Sequence, residues 1–281
     1  MKKTNMLLVA TAALVAAKGL DNRLEVTHYN LKSEELPQEF DGFRIVHISD
    51  FHCDTTAGLI DAIRNESPDI ICATGDMTHD TGTYDAFIKL LGAMLKIAPV
   101  YIISGNHDVW RSDYDELVLK CKEMGAVFLQ DERAFIKRKD SEIAISGIED
   151  PFSSVCRTIY ENIEKSVDKL GNYDGYEILM FHRANLLDVF SGSSYNLILS
   201  GHMHGGQFRI PGVGGVVCPK TNFHDKTKIL FPKYFGGEYT KEKIKIIVSR
   251  GIGNPTFLPR IFNRPEICSI VLRSKKNPES I

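Results

Sequence analysis

Strand-like and helix-like segments alternate along most of this chain, and that alternation predicts an α/β fold with buried strands. Short apolar runs recur at residues 44–49, 70–74, 100–104, 143–147, 178–181 and 197–200. Between several of them lie segments with helical spacing of apolar residues, at 57–65, 84–95, 114–124 and 158–170. Two late runs, 245–249 and 266–272, have no helix between them. They predict that a mixed or antiparallel sheet closes the domain.

The 281 residues suit one large domain or two small ones and can bury a substantial core. Hydrophobic residues make up 43% and charged residues 25%, the balance of a soluble globular protein. A formal net charge of −2 gives no electrostatic case for a nucleic-acid partner. The 6 cysteines form no CxxC pair, which argues for unpaired thiols and against a disulfide framework or a zinc ribbon. Cys72 lies inside an apolar run and is expected to be a small core residue.

The chain opens "MKKTNMLLVATAALVAAKG", two lysines and then an uncharged stretch over residues 6–17. That stretch is shorter than the ~20 apolar residues of a spanning helix. It fits the core of a signal peptide, with Val15, Ala16 and Ala17 as a cleavage region. An uncleaved anchor is the second reading, and a helix at the start of a cytoplasmic protein the third. The expectation is a membrane-attached or exported protein, with the cytoplasm as the alternative. Next, "RLEVTHYNLKSEELPQEFDGFRIVHISDFH" reads as a strand, a polar connector and a second strand.

Five strand ends then carry metal-type ligands. "HISDFHCD" offers Asp50 and His52, two residues apart. "ICATGDMTHD" offers Asp76 after the turn at Gly75, and "YIISGNHDVW" offers Asn106, His107 and Asp108. "ILMFHR" offers His182, and "YNLILSGHMHGGQF" offers His202 and His204. Alternation along an extended chain would put His202 and His204 on one side. Each stretch alone also fits ordinary turn or capping chemistry. Together they do not, because five of the 9 histidines fall at predicted C-terminal strand ends. That is the edge where open α/β sheets form ligand sites.

Carboxylates, an amide oxygen and several imidazoles make a nitrogen and oxygen set without thiolate. Such a set suits Mn²⁺, Fe²⁺, Zn²⁺ or Ni²⁺ better than Ca²⁺ or Mg²⁺ alone. There are too many ligands for one tetrahedral ion. A pair of ions ~3.5–4 Å apart would use them, and would generate hydroxide for in-line attack at phosphorus.

The motifs D-x-H, G-D, G-N-H-D/E, H and G-H-x-H stand in this order over residues 42–208, and in this they resemble the calcineurin-like metallophosphoesterases. "GHMHGGQF", "FPKYFGGEY" and "SRGIGNPTFLPRIFNRPEI" are similar to the bacterial YkuE/YaeI-like branch and extend the resemblance to residues 24–272. The resemblance implies a four-layer α/β/β/α sandwich, two mixed β-sheets flanked by helices. It implies a leader over residues 1–20, a phosphoesterase domain over 24–273 and a tail over 274–281. It also implies roles. Asp50, His52 and His204 would hold one divalent ion, Asn106, His182 and His202 the other, and Asp76 would bridge. His107 would act on the substrate as acid or electrostatic partner, and Gly205 and Gly206 would keep the backbone clear of the site. The expected cofactors are two Mn²⁺ ions, with Fe, Zn or Ni as alternatives.

The expected reaction is hydrolysis of a phosphodiester or pyrophosphate through a metal-bridging hydroxide. A lipid-linked or nucleotide-sugar substrate, of the UDP-2,3-diacylglucosamine kind, fits a chain that reaches a membrane through its N-terminus. The rivals are a non-catalytic metal-binding scaffold of the same fold and a hydrolase acting at carbon. The complete ligand set opposes the first, and the order of the motifs opposes the second. One departure from the family pattern is visible. Many relatives carry an acidic residue three positions after the one matching Asp76, whereas this chain has His79 followed by Asp80. His79 is expected to be exposed. Residues 209–237, punctuated by Gly and Pro, form either a functional excursion or an ordinary surface loop.

Overall fold

The computed structural model describes residues 17–54, 56–152, 156–217, 230–256 and 258–275, the side chains of 156 and 157 aside. Most of the expected leader lies outside the described residues, as do 218–229 of the long loop and the tail beyond 275. Among the described residues no helix is long and apolar enough to cross a membrane.

The strands are β1 (Glu25–Ser33), β2 (Arg44–Ile48), β3 (Ile70–Thr74), β4 (Val100–Ile103), β5 (Val127–Phe128), β6 (Glu132–Arg138), β7 (Ser141–Gly147), β8 (Glu177–Arg183), β9 (Leu197–Gly201), β10 (Arg209–Ile210), β11 (Gly214–Gly215), β12 (Gly237–Lys241), β13 (Ile244–Val248) and β14 (Glu266–Ser274). The helices are α1 (Leu59–Asn65), α2 (Asp85–Met94), α3 (Asn106–Val109), α4 (Tyr114–Glu123) and α5 (Cys156–Leu170). Two six-stranded sheets result, ordered β1-β14-β2-β3-β4-β5 and β12-β13-β9-β8-β7-β6. Both are mixed. In the first, β14 runs antiparallel to β2 while the other pairs are parallel. In the second, the outer pairs β12–β13 and β6–β7 are antiparallel.

Strand alternation explains the layering. Along β8, Ile178 and Met180 face the layer between the sheets, whereas Leu179 and Phe181 face outward under α5. Along β3, Ile70 and Cys72 face inward and Ile71 and Ala73 face α1, α2 and α4. Strands buried on both faces must be apolar throughout, which is why they read as unbroken runs. The covering helices are apolar on one side only. Phe87, Leu90, Leu91 and Met94 of α2 enter the first outer core, and Ile159, Ile163 and Leu170 of α5 the second. The four layers expected from the resemblance are present.

The two late strands do not pair with each other. β13 lies parallel to β9 in the second sheet, and β14 inserts between β1 and β2 in the first. The segment between them therefore crosses from one sheet to the other. β6 and β12 are edge strands whose side chains are only partly covered. They lack the apolar run that marks the central strands.

Leu199 is fully buried between the sheets. Leu199→Ala should cost about 2–5 kcal/mol in urea unfolding. Leu119→Ala, on the exposed side of α4, should change stability by no more than about 0.5 kcal/mol. Equal effects would contradict this layering.

Candidate metal centre

β2, β3 and β4 run parallel in one sheet, and β8 and β9 in the other. Their C-terminal ends meet, and the meeting point gathers the side chains singled out in the sequence. Asp50, His52, Asp76, Asn106, His182, His202 and His204 are all buried. Three sets of donor atoms come close enough to share a cation: Asp50 with His52 and His204, His52 with Asp76 and His107, and Asp76 with His182 and His202. The first sheet supplies both carboxylates, and the second supplies His182, His202 and His204.

The backbone reaches this arrangement differently from an extended strand. Asp50, His52, Asp76, His202 and His204 all have φ between 45° and 72°. These are left-handed turns, costing of order 1–3 kcal/mol each for residues with a side chain. β9 ends at Gly201, and His202 and His204 leave on separate turns. His204 goes to Asp50, with Nε2 3.3 Å from Oδ1. His202 goes to the Asp76 and His182 set, and its N–H donates to Asp50 Oδ2 at 3.0 Å.

Asp76 sits at the middle. Its Oδ1 accepts the His107 N–H at 2.7 Å. Its Oδ2 lies 3.2 Å from His182 Nε2 and 3.9 Å from His52 Nε2. His182 Nδ1–H donates to the Thr74 carbonyl at 2.7 Å, which fixes the ring with Nε2 toward the centre. Gly105 has no side chain because a Cβ there would collide with the Asp76 carboxylate.

The donors fit divalent ions. Asn106 Oδ1 and His202 Nε2 are buried with no hydrogen-bond partner, as are both ring nitrogens of His52. Buried polar atoms normally have partners, and such atoms converging on two carboxylates are ligands in waiting. Burial pulls His52 down to about 3, and burial aided by neighbouring cationic groups holds His202 and His204 well below the usual imidazole range. Their lone pairs are free at neutral pH. Burial pushes Asp50 up to about 6. Burial also opposes charge on Asp76 and His182, but their mutual attraction overrides it. Asp76 falls well below the carboxylate range and His182 rises to about 10.

Several supporting residues gave no sequence signal of their own. Asn263 Nδ2 donates to the carbonyls of His204, at 2.6 Å, and Gln207, at 3.1 Å. A Cβ on Gly205, whose φ is 64°, would strike Asn263, so this glycine serves close packing behind His204. Gly206 packs in the same way on Gly215. Arg260 Nη2 reaches 3.5 Å from His204 Nδ1 and is also bound by the Gly253 carbonyl. Asp108 joins none of these donor sets. It accepts from Thr78 N and Oγ1 and from Gly105 N, so it ties two loops together. His79 is half-buried, not exposed as expected, because its ring lies against His52 with centroids 5.2 Å apart. His107 is partly exposed at the mouth, its ring 5.0 Å from His52 and 4.9 Å from Trp110. Four cysteines among the described residues are free thiols, and Cys72 is in the core as expected.

This sandwich of two sheets with a dinuclear site for divalent ions at its strand ends belongs to a metal-dependent phosphoester hydrolase. The chain is a member of the calcineurin-like phosphoesterase family, whose pattern matches residues 43–249. It is 29% identical to the uncharacterized metallophosphoesterase YkuE of Bacillus subtilis, over 95% of this chain and 94% of that protein. It is 26% identical to the phosphodiesterase YaeI of Escherichia coli, over 82% of each chain. It is 27% identical to a transmembrane protein with metallophosphoesterase domain from Danio rerio, over 97% of this chain and 63% of that protein.

The raised His182 makes metal uptake a proton exchange. Below about 10 its ring carries a proton that must leave before Nε2 can bind a cation, so rising pH removes a competitor. The Mn²⁺ affinity of the metal-free protein should increase from about pH 6.5 to about pH 8, with protons released. Calorimetry in buffers of different ionisation enthalpy checks this. A pH-independent affinity without proton release would contradict it.

Proposed function

We propose that the protein hydrolyses a phosphodiester or pyrophosphate bond, and that its substrate is lipid-linked or a nucleotide sugar. The observation that carries the reaction is the placement of Asp76. It faces His52 and His182 with one oxygen and holds the His107 backbone with the other. Asp50, His52 and His204 are assigned to one ion, Asn106, His182 and His202 to the second, and Asp76 to both. Two Mn²⁺ ions are the proposed pair. When bound, the ions supply positive charge for the phosphoryl oxygens and acidify a water for attack at phosphorus.

The chain's own residues do the rest. His182 is held in one tautomer by Thr74, and His204 is backed by Asn263 and Arg260. His107 stands at the half-open mouth, with Nδ1 3.8 Å from Asp80 Oδ1. From there it donates a proton to the departing oxygen. Trp110 and Phe152, with rings 5.9 Å apart, form an exposed apolar wall beside His107. That wall supports a substrate whose leaving side is apolar or planar. The similarity to the phosphodiesterase YaeI supports a diester. The apolar leader supports attachment or export, and with it a role at the cell envelope.

Asp76→Asn removes charge shared by both ions, so both should be lost or weakened, whereas Asn106→Ala should loosen one. Metal analysis of the purified variants reads this directly. Two full equivalents on Asp76→Asn would remove Asp76 from the shared position.

His107→Ala should keep both metals. General acid catalysis is typically worth about 10²–10⁴-fold. A loss of that order is expected for an alkyl diester and a clearly smaller one for a p-nitrophenyl ester, whose leaving anion needs no proton. Equal losses would make His107 a source of positive charge instead, and loss of a metal would make it a ligand.

A further inference from the structure

Two exposed apolar side chains, Ile210 and Val213, line a cavity beside the turn that carries His204, and three more, Leu20, Leu230 and Phe231, sit on segments hydrogen-bonded to its surroundings. β10 and β11 form a small antiparallel hairpin directly after the His204 turn. Its tip carries Ile210 and Val213, 45% and 64% exposed. Leu230 and Phe231, 57% and 55% exposed, bridge to the strand that leaves the hairpin at Val216 and Val217. Leu20 is 54% exposed, and the neighbouring Gly19 carbonyl accepts the Phe262 N–H at 2.7 Å. Phe262 lines the cavity beneath the hairpin, about 420 Å³, together with Phe235, Arg209 and Arg250. The described chain thus begins at residues 17–20, packed against Phe262 beside this cavity. Apolar side chains gathered in one exposed patch mark an interaction surface.

The charge under the patch identifies the occupant. The Arg209 guanidinium lies over the Phe235 ring at 5.5 Å and has no carboxylate partner among the described residues. Burial, with Arg250 close by, pulls its pKa below the usual arginine value, so an anion there would be favourable. Arg250 is already paired with Glu25 and Glu266. A cation set below an apolar tip matches the boundary between acyl chains and anionic headgroups.

We propose that the β10–β11 hairpin, with Leu230 and Phe231, docks on an anionic lipid bilayer beside the leader, with Arg209 receiving a lipid phosphate. The hairpin hangs from the metal-site turn, since the Gly206 carbonyl accepts the N–H groups of Val216 and Val217. Docking therefore holds the mouth of the site at the membrane surface. This deepens the reading of a lipid-linked substrate and rests on it only for the activity measurement below.

The test uses the full chain. Trp110 is the sole tryptophan, so Trp110→Phe combined with Val213→Trp places one reporter at the hairpin tip. With phosphatidylcholine vesicles containing phosphatidylglycerol, its emission should shift to the blue and be quenched by brominated acyl chains. A matched reporter, Phe135→Trp with Trp110→Phe, sits on exposed β6 and should be unaffected. Arg209→Gln should weaken the response on anionic vesicles and change it little on phosphatidylcholine alone. A hairpin reporter that stays unquenched while the chain binds vesicles would overturn the proposal, since the leader alone would then anchor the protein. No vesicle binding would also overturn it. So would a blue shift that needs no vesicles and grows with protein concentration, which would assign the patch to a second copy. In a second measurement, Val213→Asp with Phe231→Asp should leave hydrolysis of bis(p-nitrophenyl) phosphate unchanged. It should slow hydrolysis of a vesicle-embedded phosphodiester lipid roughly tenfold or more. Unequal rates support docking, and equal rates on both substrates count against it. Absence of activity on either substrate with unsubstituted protein is a failure of the hydrolase reading, and quenching still decides the docking.

Discussion

Two carboxylates and several imidazoles are packed out of water around Asp76, and much of the local structure follows from the cost of doing so. A buried charge is tolerated only when paired or bound to a cation. Asp76 and His182 pair across the seam between the sheets. Asp50 is held by the N–H of His202, from the opposite sheet. Asn106 Oδ1, His202 Nε2 and both ring nitrogens of His52 are left without partners. A fold assembled only for stability would fill such a position with apolar side chains. Here the central strands are apolar up to their last residues, and polarity begins where they end.

The same constraint dictates the backbone. Bringing several ligands from different strands within a few ångströms of one another leaves no room for ordinary turns. The chain turns sharply at each strand end, and five of the candidate ligands adopt left-handed conformations to do it. Gly105 lies against the Asp76 carboxylate with no room for a side chain. Strain of this kind persists only where surrounding contacts overdetermine it. Those contacts are visible: Asp108 clamps two ligand loops, and the buried pair of Arg183 with Asp150 holds the end of β8 at 2.6 and 2.8 Å.

The cluster of candidate ligands is legible in the sequence because each sits at the end of an apolar run, and burial on both faces makes those runs continuous. The fold class was legible for the same reason. The four-layer arrangement came from family resemblance, since alternation alone does not say how many sheets form. Asn263 and Arg260 escaped because they act from a segment with no regular structure, and their partners are backbone carbonyls and a ring nitrogen distant in the chain. β6 and β12 escaped because edge strands need little apolar surface. The position of His79 escaped because ring contact with His52 depends on how two loops meet. An extended chain would keep His202 and His204 on one face. Their actual divergence depends on two left-handed residues that no periodicity reveals.

The division of ligands between the sheets has a mechanical consequence. The first sheet contributes both carboxylates and the second contributes His182, His202 and His204. Each close set of donors that includes His182, His202 or His204 therefore crosses the seam. Below the seam apolar side chains such as Ile45, Ile70, Ile178 and Leu199 fill the layer between the sheets, with a few polar links at its border such as Ser141 Oγ to Glu39. Cations held by these residues would attach to both layers at once. Because they would bind the assembled site and not the separated strands, their binding free energy would add to cohesion between the layers. The interface that gathers the donors would then also be the one that its cofactors hold closed. That accounts for a site built across two sheets: neither sheet supplies both the carboxylates and the second set of imidazoles, so the centre exists only in the folded sandwich.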